Sequence, residues 1–358
     1  MRACVLLLVA ASLLCHSYTD GLSQALPTTT AEEDRLVCVA EEPIARVMIE
    51  YSAAADYIEA VYDHKDYFGG GQLEEDIYNG REDINGQEAD LHRNGFELTE
   101  MKVSGLDNWT DIEQIRSKYL PQLENKLREK IDGIEHIIFW HPMYRGEGMD
   151  RSSNSAPLAS SVHLDADIAA FELEELVELV TERSISPQEN TSVIVRDALL
   201  SKNRFMIVNA WRNINDEPIM RAPLGLFLPN YTEPNQTYPW ARLDVISSRW
   251  YTFPFMSSEE VLMFKQYDRR LDNPSDIWHC ALRLMEEGGE EANPRKSLDL
   301  RAFCILNEEV PERLDRWRLR DPPLVAPHQS TKKSRPFVRS FLSNVKRILP
   351  FVRGKNSD

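Results

Sequence analysis

The chain has 358 residues, of which 42% are hydrophobic and 28% are charged, a composition typical of a folded globular protein. Its formal net charge of -17 argues against nucleic-acid binding by the body of the protein, because phosphate contacts need clustered Lys and Arg. The five cysteines include no Cys-x-x-Cys, which excludes a zinc ribbon or a CxxC redox motif. Cys280 and Cys304 lie in apolar runs and are predicted to be small buried side chains.

The first 17 residues have the pattern of a secretory signal peptide. Arg2 supplies a basic start, residues 5–14 an apolar core, and Ser17 a small residue for cleavage. A membrane span needs about twenty apolar residues, so an uncleaved anchor is the weaker interpretation. We therefore expect a protein of the secretory pathway or a secreted protein, with residues 18–35 as a disordered leader. Four glycosylation sequons agree with a secreted glycoprotein, and they begin at Asn108, Asn190, Asn230 and Asn235.

Between the leader and residue 131 the sequence predicts helices and loops. Residues 53–62 have apolar residues at helical spacing, and residues 111–131 do so over a longer stretch. Pro121 should kink or split the second helix because proline lacks the backbone N–H. Residues 66–94 are rich in Gly, Asp, Glu and Asn and indicate long loops.

Strand-like and helical segments then alternate along the chain. Four apolar runs predict strands, at 134–140, 204–210, 277–282 and 294–306. Amphipathic spacing predicts a surface helix at 171–180, and a second helix should start after Pro187 and run towards Leu200. Ser257 and Glu260 form a capping-box pattern, which predicts a helix through Tyr267. Lys265 and Asp268 in that segment are expected to form an exposed or strand-facing structural pair.

The stretch Ser161-Val162-His163-Leu164-Asp165 carries the first candidate site. If its two apolar residues face a core, strand alternation places His163 and Asp165 together on the opposite face, where both can bind one cation. His279 lies in another apolar run and is the candidate third ligand. Two imidazoles and one carboxylate on one side of an ion form the facial triad that suits non-heme Fe(II) in oxygen chemistry. Taken alone, a His-x-Asp is usually a chance occurrence.

A candidate anion site follows His279 in the sequence. Arg295 and Ser297 place a planar guanidinium beside a hydroxyl, a pair suited to a two-point grip on a carboxylate. Taken alone, Arg295 is more readily an exposed arginine at a strand end. His141 is likewise more readily a structural or pocket histidine than a fourth metal ligand.

An ordered set of motifs spans roughly residues 134–310. It consists of His163-x-Asp165, Val208-Asn209-Ala210-Trp211-Arg212, Pro223-Leu224, Arg249-Trp250-Tyr251-Thr252-Phe253-Pro254, Glu260-Val261-Leu262-Met263-Phe264-Lys265-Gln266-Tyr267-Asp268, His279 and Arg295-x-Ser297-x-x-x-Arg301. This set resembles the gibberellin desaturase-like (AsaB-like) hydroxylase/desaturase family of microbial secondary metabolism. The resemblance implies an Fe(II)/2-oxoglutarate oxygenase. It also implies an α+β fold with a mainly β core, a double-stranded β-helix (jelly roll or cupin-like) with flanking helices.

The resemblance also implies residue roles. His163, Asp165 and His279 would be the iron ligands, and Arg295 with Ser297 the leading anchor of the 2-oxoglutarate carboxylate. The alternative anchor is Arg301, and Arg212 is a candidate pocket residue. Fe(II) and 2-oxoglutarate are the implied cofactors, with ascorbate as an optional third, and dioxygen and a small molecule are the implied substrates.

The implied reaction is hydroxylation or desaturation at an unactivated carbon of a small molecule. Trp278 and Cys280 flank His279 where the family tends to have proline and a small polar residue, which leaves the substrate open. A secreted non-catalytic interaction protein on the same fold is the alternative function, and a zinc hydrolase with the same ligands would leave Arg295 unexplained. Because histidines bind metal only when neutral, iron affinity should fall as the pH drops below about 6.5.

The charge balance reverses after the predicted oxygenase-like domain, residues 36–320. In residues 321–358, eight Lys or Arg residues stand after Thr331 against one acid, and apolar residues recur at intervals of three or four. Residues 335–353 therefore suit an amphipathic helix on an anionic membrane surface. The equal alternative is a solvated basic tail that packs on the acidic body.

Overall fold

The computed structural model describes residues 42–51 and 71–317, with internal gaps at 83, 85–86, 153, 166–167, 169–170, 187–188, 229–248, 285–288 and 290. The predicted signal peptide, the leader, the helix at 53–62 and the basic tail with its membrane-contact stretch 335–353 lie outside the described residues. The domain boundaries at 36 and 320 therefore stay a prediction. Within the described part of the chain, no helix combines the length and the apolar character that a membrane span needs.

The described chain is built mainly of β-strands. They are β1 (Ala45–Tyr51), β2 (Gly71–Asn79), β3 (Phe96–Glu100), β4 (Ile134–Gly146), β5 (Ser155–Ala156), β6 (Ser161–Val162), β7 (Asn203–Asn213), β8 (Leu224–Leu228), β9 (Arg249–Thr252), β10 (Glu260–Asp268), β11 (Trp278–Ala281) and β12 (Lys296–Glu309). The four strands predicted from apolar runs are confirmed as β4, β7, β11 and β12.

The strands form two six-stranded sheets. The major sheet has the order β3-β10-β7-β12-β4-β5, and the minor sheet has the order β11-β8-β9-β2-β1-β6. Side chains of both sheets meet in one buried apolar cluster, which includes Phe96, Trp211 and Phe264 from the major sheet and Leu226 and Tyr251 from the minor sheet. Two facing sheets with a shared core form a double-stranded β-helix, and the predicted α+β class with a mainly β core is confirmed.

Helices pack on both faces of the major sheet. On one face lie α1 (Ile112–Gln114), a π-helical turn (Ile115–Tyr119) and α2 (Leu120–Lys130), and on the other lie α3 (Leu173–Glu182) and α4 (Thr191–Leu200). Pro121 stands in the first turn of α2, directly after the π-helical turn, so the α-helical hydrogen bonding changes at the position where the sequence predicted a kink or split, while the helical backbone continues through it. The helices predicted at 171–180 and towards Leu200 are confirmed as α3 and α4.

Two sequence predictions of secondary structure are wrong. The predicted helix from Ser257 is instead a turn followed by β10. Ser257 does hydrogen-bond the Glu260 carboxylate, from N at 2.8 Å and from Oγ at 3.1 Å, as a capping box would. However, β10 lies between β3 and β7 and is buried on both faces, so its apolar residues show no strand period. The predicted loop at 66–94 contains β2, in which Ile77 is buried and the other side chains between 74 and 79 are half-buried or exposed and mostly polar.

Buried polar and sulfur side chains are accommodated within the fold. Lys265 and Asp268 form the predicted structural pair, with Nζ and the carboxylate 3.4 Å apart, but the pair is fully buried and not exposed. Cys280 and Cys304 are free and buried, as predicted.

Strand alternation defines the face of the major sheet that looks towards the minor sheet, which we call the inner face. Odd-numbered residues of β7 and β12 point to it: Trp211 belongs to the shared core, whereas Ala210 and Leu300 pack under the helices on the other side. In register, Asn209 lies opposite Arg301 and Trp211 opposite Asp299. The inner face therefore carries a row of polar side chains between the two sheets.

Candidate metal centre

His163 and His279 lie directly opposite each other on neighbouring backbone segments. Each backbone N–H donates to the other residue's carbonyl oxygen at 3.1 Å, which makes an antiparallel bridge at the end of β6. Opposite residues of an antiparallel pair place their side chains on the same face of the sheet. The two imidazole rings are accordingly 4.3 Å apart between centroids. The fold thus brings together two histidines that are separated by more than a hundred residues in the sequence.

The hydrogen bonds of the two rings fix which nitrogen faces the site. His163 Nδ1 lies 2.8 Å from the carbonyl oxygen of Ser161, and His279 Nδ1 lies 3.3 Å from that of Ile277. A carbonyl oxygen only accepts, so Nδ1 carries the proton in each ring and the Nε2 lone pair is left to bind a metal. Both Nε2 atoms face Asp165, at 3.9 Å for His163 and 3.6 Å for His279.

Asp165 completes the set from a bend that follows β6. One ligand atom from each of these three residues lies within 4.8 Å of the others, which is a cluster able to hold a metal ion. The sequence suggested that strand alternation places Asp165 beside His163. In the structure Asp165 lies in a bend after β6 and is positioned by a side-chain contact. Its backbone N–H donates to Gln266 Oε1 at 2.8 Å, and Gln266 Nε2 donates to the Ile277 carbonyl at 2.9 Å. One glutamine of β10 therefore ties the Asp165 segment to the start of β11.

The Asp165 carboxylate is held by two further side chains. Arg301 Nη2 lies 2.5 Å from Oδ1, and Asn209 Nδ2 donates to Oδ2. The same Asn209 amide also lies 3.2 Å from Asp299 Oδ1. Supporting contacts of this kind fix the orientation of a metal-binding carboxylate.

The protonation states suit metal binding. Burial, together with the neighbouring His163, lowers the pKa of His279 to about 3. Burial likewise lowers the pKa of His163. Burial alone would raise the pKa of Asp165, but Arg301 and the two imidazoles outweigh it and hold that pKa well below its usual range. The site thus presents two neutral imidazoles and one carboxylate, and the lowered imidazole pKa values place the acid loss of metal affinity below the pH of about 6.5 expected from the sequence.

His141 supports Arg301 and does not join the metal-ligand cluster. Its Nδ1 accepts a hydrogen bond from Arg301 Nη1, and its ring stacks beside Trp140 with centroids 6.1 Å apart. Burial, together with the Arg301 charge, lowers the pKa of His141 to about 2, so the ring is neutral and can accept. This agrees with the expectation of a structural or pocket histidine.

Arg295 and Ser297 lie further along the inner face. Arg295 is 2% exposed, Nη1 donates to the Ala222 carbonyl, and the guanidinium carbon lies 5.3 Å from the Trp211 ring centroid. Its Nε has no hydrogen-bond partner among the described residues. Burial, together with nearby Arg145, lowers the pKa of Arg295 to about 9. Ser297 is fully buried, with Oγ 3.5 Å from the Arg145 carbonyl.

Arg212 is the one predicted site residue that the fold does not bring to the inner face. It is an even-numbered residue of β7, so it points to the opposite face, which α1 and α2 cover. Its guanidinium carbon lies 4.5 Å from the Trp109 ring centroid, and Nη2 donates to the Ser258 carbonyl. Its role is to fill the space under the helices that begin at α1.

Three supporting residues were not predicted from the sequence: Asn209, Gln266 and Asp299. Each is a buried polar side chain with apolar residues beside it in its strand. That contrast is the signal that could have found them, because a buried polar group needs a partner. Burial, together with the neighbouring Asp165 carboxylate, raises the pKa of Asp299 to about 7.

Replacing Asp299 by asparagine should stabilise the metal-free protein, relative to wild type, more at alkaline pH than at acid pH. The folded pKa of about 7 is above the ordinary value of 3.8, so the folded state binds the extra proton. That contribution to stability is complete below about 3.8 and is lost as the pH rises through 7. The asparagine side chain cannot titrate, so the difference in unfolding free energy between Asp299→Asn and wild type should grow by on the order of 2 kcal/mol from about pH 5 to about pH 8. Urea unfolding in a chelator measures it.

The control for this prediction is Asp150→Asn, which removes an exposed acid. Its effect on the unfolding free energy should be small at both pH values. An Asp299→Asn effect that is the same at both pH values would show that Asp299 is ionised in the folded protein.

Two histidines and one aspartate that could hold one metal ion, on a double-stranded β-helix, form the donor set typical of non-heme Fe(II) oxygenases. Residues 53–305 match the family model described as "Oxidoreductase/YMDC permease-like domain", and the chain belongs to that family.

The chain is also similar to three fungal enzymes. It is 24% identical over 251 residues to the alpha-ketoglutarate-dependent dioxygenase phiK of a fungal species, covering 62% of this chain and 82% of that enzyme. It is 25% identical over 238 residues to the Fe(II)/2-oxoglutarate-dependent dioxygenase nvfI of Aspergillus novofumigatus, covering 60% and 78%. It is 24% identical over 225 residues to the alpha-ketoglutarate-dependent dioxygenase tstK of Talaromyces stipitatus, covering 56% and 73%.

Solved structures of one such enzyme are similar to the chain. The iron and alpha-ketoglutarate-dependent endoperoxidase NvfI matches at 20% identity with a TM-score of 0.48, covering 67% of this chain and 87% of that one. A second structure of NvfI, in a different conformation, matches at 19% identity with a TM-score of 0.49, covering 74% and 98%.

Proposed function

We propose that the chain is an Fe(II)/2-oxoglutarate-dependent oxygenase that hydroxylates or desaturates a small molecule. The observation that carries the proposal is the convergence of His163 Nε2, His279 Nε2 and the Asp165 carboxylate, with both Nδ1 atoms occupied by backbone carbonyls. This donor set fits Fe(II), because two neutral imidazoles and one carboxylate leave further positions of the ion open. Dependence on iron and 2-oxoglutarate in the similar fungal enzymes supports it.

The 2-oxoglutarate anchor that the geometry favours is Arg295. Its guanidinium is buried, and among the described residues no carboxylate pairs with it. An unpaired buried charge is costly, so such a group favours an anionic ligand. Arg301, the alternative anchor, is already paired with Asp165 and His141. The distal carboxylate of 2-oxoglutarate would therefore bind Arg295, beside the Ser297 hydroxyl.

The protein's own groups would position the reaction. His163 and His279 hold the metal with rings fixed at Nδ1, and Asn209 and Arg301 fix the carboxylate of Asp165. Phe264 packs against His279 at 4.9 Å between centroids and excludes water from that side. When bound, Fe(II) and 2-oxoglutarate supply the oxidation: dioxygen and 2-oxoglutarate give succinate and carbon dioxide, while the substrate gains a hydroxyl group or loses two hydrogens to water.

Several finer features belong to the same proposal. A gibberellin desaturase-like specificity would explain the motif order along 134–310. Entry into the secretory pathway would follow from the signal-like first 17 residues. Ascorbate would act by keeping iron in the Fe(II) state.

Anaerobic titration of the purified protein with Fe(II) and 2-oxoglutarate tests the proposal. Wild type should develop a visible metal-to-ligand charge-transfer band. Arg295→Gln should need roughly 100-fold more 2-oxoglutarate for the same band, because a buried charge-assisted contact is lost. Arg301→Gln should retain the band at saturating Fe(II), and the exposed Arg313→Gln is the matched control.

Two results would contradict this assignment. A band that survives in Arg295→Gln and disappears in Arg301→Gln would transfer the anchor to Arg301. A folded wild-type protein that gives no band would refute the oxygenase and leave a binding protein on the same fold.

A further inference from the structure

The inner face around the candidate metal centre carries more positive charge than 2-oxoglutarate alone would neutralise. Among the described residues of its strands, three arginines lie there, at positions 145, 295 and 301, while Arg183, which follows α3 and has an interaction of its own, lies near Arg301. The acids among the described inner-face residues are Asp165 and Asp299, and the Asn209 amide donates to both carboxylates. The nearby Glu147 is committed to Arg221, at 2.6 Å.

The register of the major sheet fixes the position of Arg145. Arg145 on β4 lies directly opposite Ser297 on β12, and Met143 lies opposite Asp299. Opposite residues share a face, so Arg145 extends from the inner face, two positions along the sheet from Asp299. Its Nη1 lies 3.4 Å from the carbonyl oxygen of Pro157, on the segment that leads into β6 and His163. The guanidinium thus lies beside the backbone that delivers the first metal ligand.

Arg145 differs from Arg301 in having no acid partner and from Arg295 in being only half-buried. Arg301 is paired with Asp165 at 2.5 Å. Within the part of the chain that the structure describes, Arg145 makes no ion pair with a carboxylate. It nevertheless belongs to the same face as the site, since Asp299 lies two positions along the sheet and Asn209 links Asp299 to the Asp165 carboxylate.

Arg295 and Arg145 both lack an acid partner among the described residues, and their different burial suits them to different ligands. Arg295 is enclosed and suits a co-substrate carboxylate held at the back of the site. Arg145 is reached from solvent, on the same side as His163, whose side chain is 28% exposed whereas those of Asp165 and His279 are nearly covered. A substrate that enters from this side passes Arg145 before it reaches the metal ligands.

We propose that the substrate is a small organic oxyanion, such as a carboxylic acid, whose anionic group binds Arg145 while the carbon to be oxidised faces the metal. This inference rests on the proposed oxygenase function and names its substrate class. After Asp165 is committed to the metal and 2-oxoglutarate to Arg295, Arg145 is the arginine of the described inner-face strands that is left for the substrate. A bidentate guanidinium contact would also fix the orientation of the substrate.

Calorimetric titration with matched probes tests the inference. Full-length protein loaded with Zn(II) and saturating 2-oxoglutarate is titrated with 1-naphthoate and with 1-naphthamide, which share a ring system but differ in charge. Wild type should bind the carboxylate about tenfold more tightly than the amide. Arg145→Gln should lose this preference, while its affinity for 2-oxoglutarate changes less than about threefold. The exposed Arg313→Gln should behave as wild type in both measurements.

Other results would refute either the oxyanion substrate or the proposed oxygenase function, and the two cases can be told apart. Equal binding of the two probes by wild type, or an unchanged preference in Arg145→Gln, refutes the oxyanion substrate. Loss of 2-oxoglutarate binding in Arg145→Gln but not in Arg295→Gln would make Arg145 the co-substrate anchor. If wild type binds neither Zn(II) nor 2-oxoglutarate, the proposed function fails, whatever the probes show.

Discussion

Replacing His279 by alanine will abolish tight Fe(II) binding and 2-oxoglutarate turnover while leaving the fold intact. In the proposed function His279 supplies one of the three candidate ligands among the described residues, and its Nε2 lies 3.6 Å from the Asp165 carboxylate that would share the metal. Removal of a supporting residue typically costs about 10–100-fold in metal affinity or activity, so loss of a ligand itself should cost more than about 100-fold. Succinate formation and Fe(II) titration measure the loss, and circular dichroism confirms that the sheets remain.

The matched control is His136→Ala, because His136 is an exposed histidine of β4 away from the cluster. Its metal affinity and turnover should equal those of wild type. His163→Ala and Asp165→Ala should repeat the His279→Ala result, since all three ligand atoms must reach one ion. A folded His163→Ala or His279→Ala variant that still oxidises 2-oxoglutarate would be falsifying for the proposed triad.

The three residues of the candidate metal centre could be predicted from the sequence because each is a polar residue within an apolar, strand-like run. A histidine or an aspartate in such a run either faces solvent or has a buried partner, and the order of motifs favoured the second case. What pairs His163 with His279 is a backbone bridge between distant segments. No local pattern encodes that pairing, so the sequence could name the ligands but not the contact that unites them.

Side-chain direction was harder to predict than residue identity. Arg212 and Asn209 belong to the same motif on β7, yet they point to opposite faces of the sheet. Only the register with β12 separates them, since it places Asn209 opposite Arg301 on the inner face. For β10 even the type of secondary structure was predicted wrongly. A strand that is buried on both faces has apolar residues at consecutive positions, so its sequence lacks the period of two that indicates a strand.

Replacing Asp315 by alanine should be the most destabilising change outside the metal centre. Asp315 receives two hydrogen bonds from Arg269, from Nε and Nη2, both at 2.8 Å, and the two side chains are 1% and 0% exposed. Removal of one partner leaves a buried guanidinium unpaired, which typically costs about 3–5 kcal/mol. Urea unfolding of the metal-free protein measures the change in unfolding free energy. The exposed Asp272, paired with Arg270 at 2.8 Å, is the control and should cost about 1 kcal/mol or less when changed to alanine.

The large effect of Asp315→Ala follows from the charge left behind, and a double variant separates that cause from lost packing. Arg269 also donates from Nη1 to the carbonyls of Ala198 and Asn203, at 3.2 and 2.9 Å, so it joins the end of α4 and the start of β7 to the segment after β12. Arg269→Met with Asp315→Leu removes both charges and keeps apolar volume. It should be less destabilising than Asp315→Ala alone, because a buried pair exchanged for apolar side chains leaves no unpaired charge. A double variant at least as unstable as Asp315→Ala would assign the effect to the lost backbone contacts of Arg269.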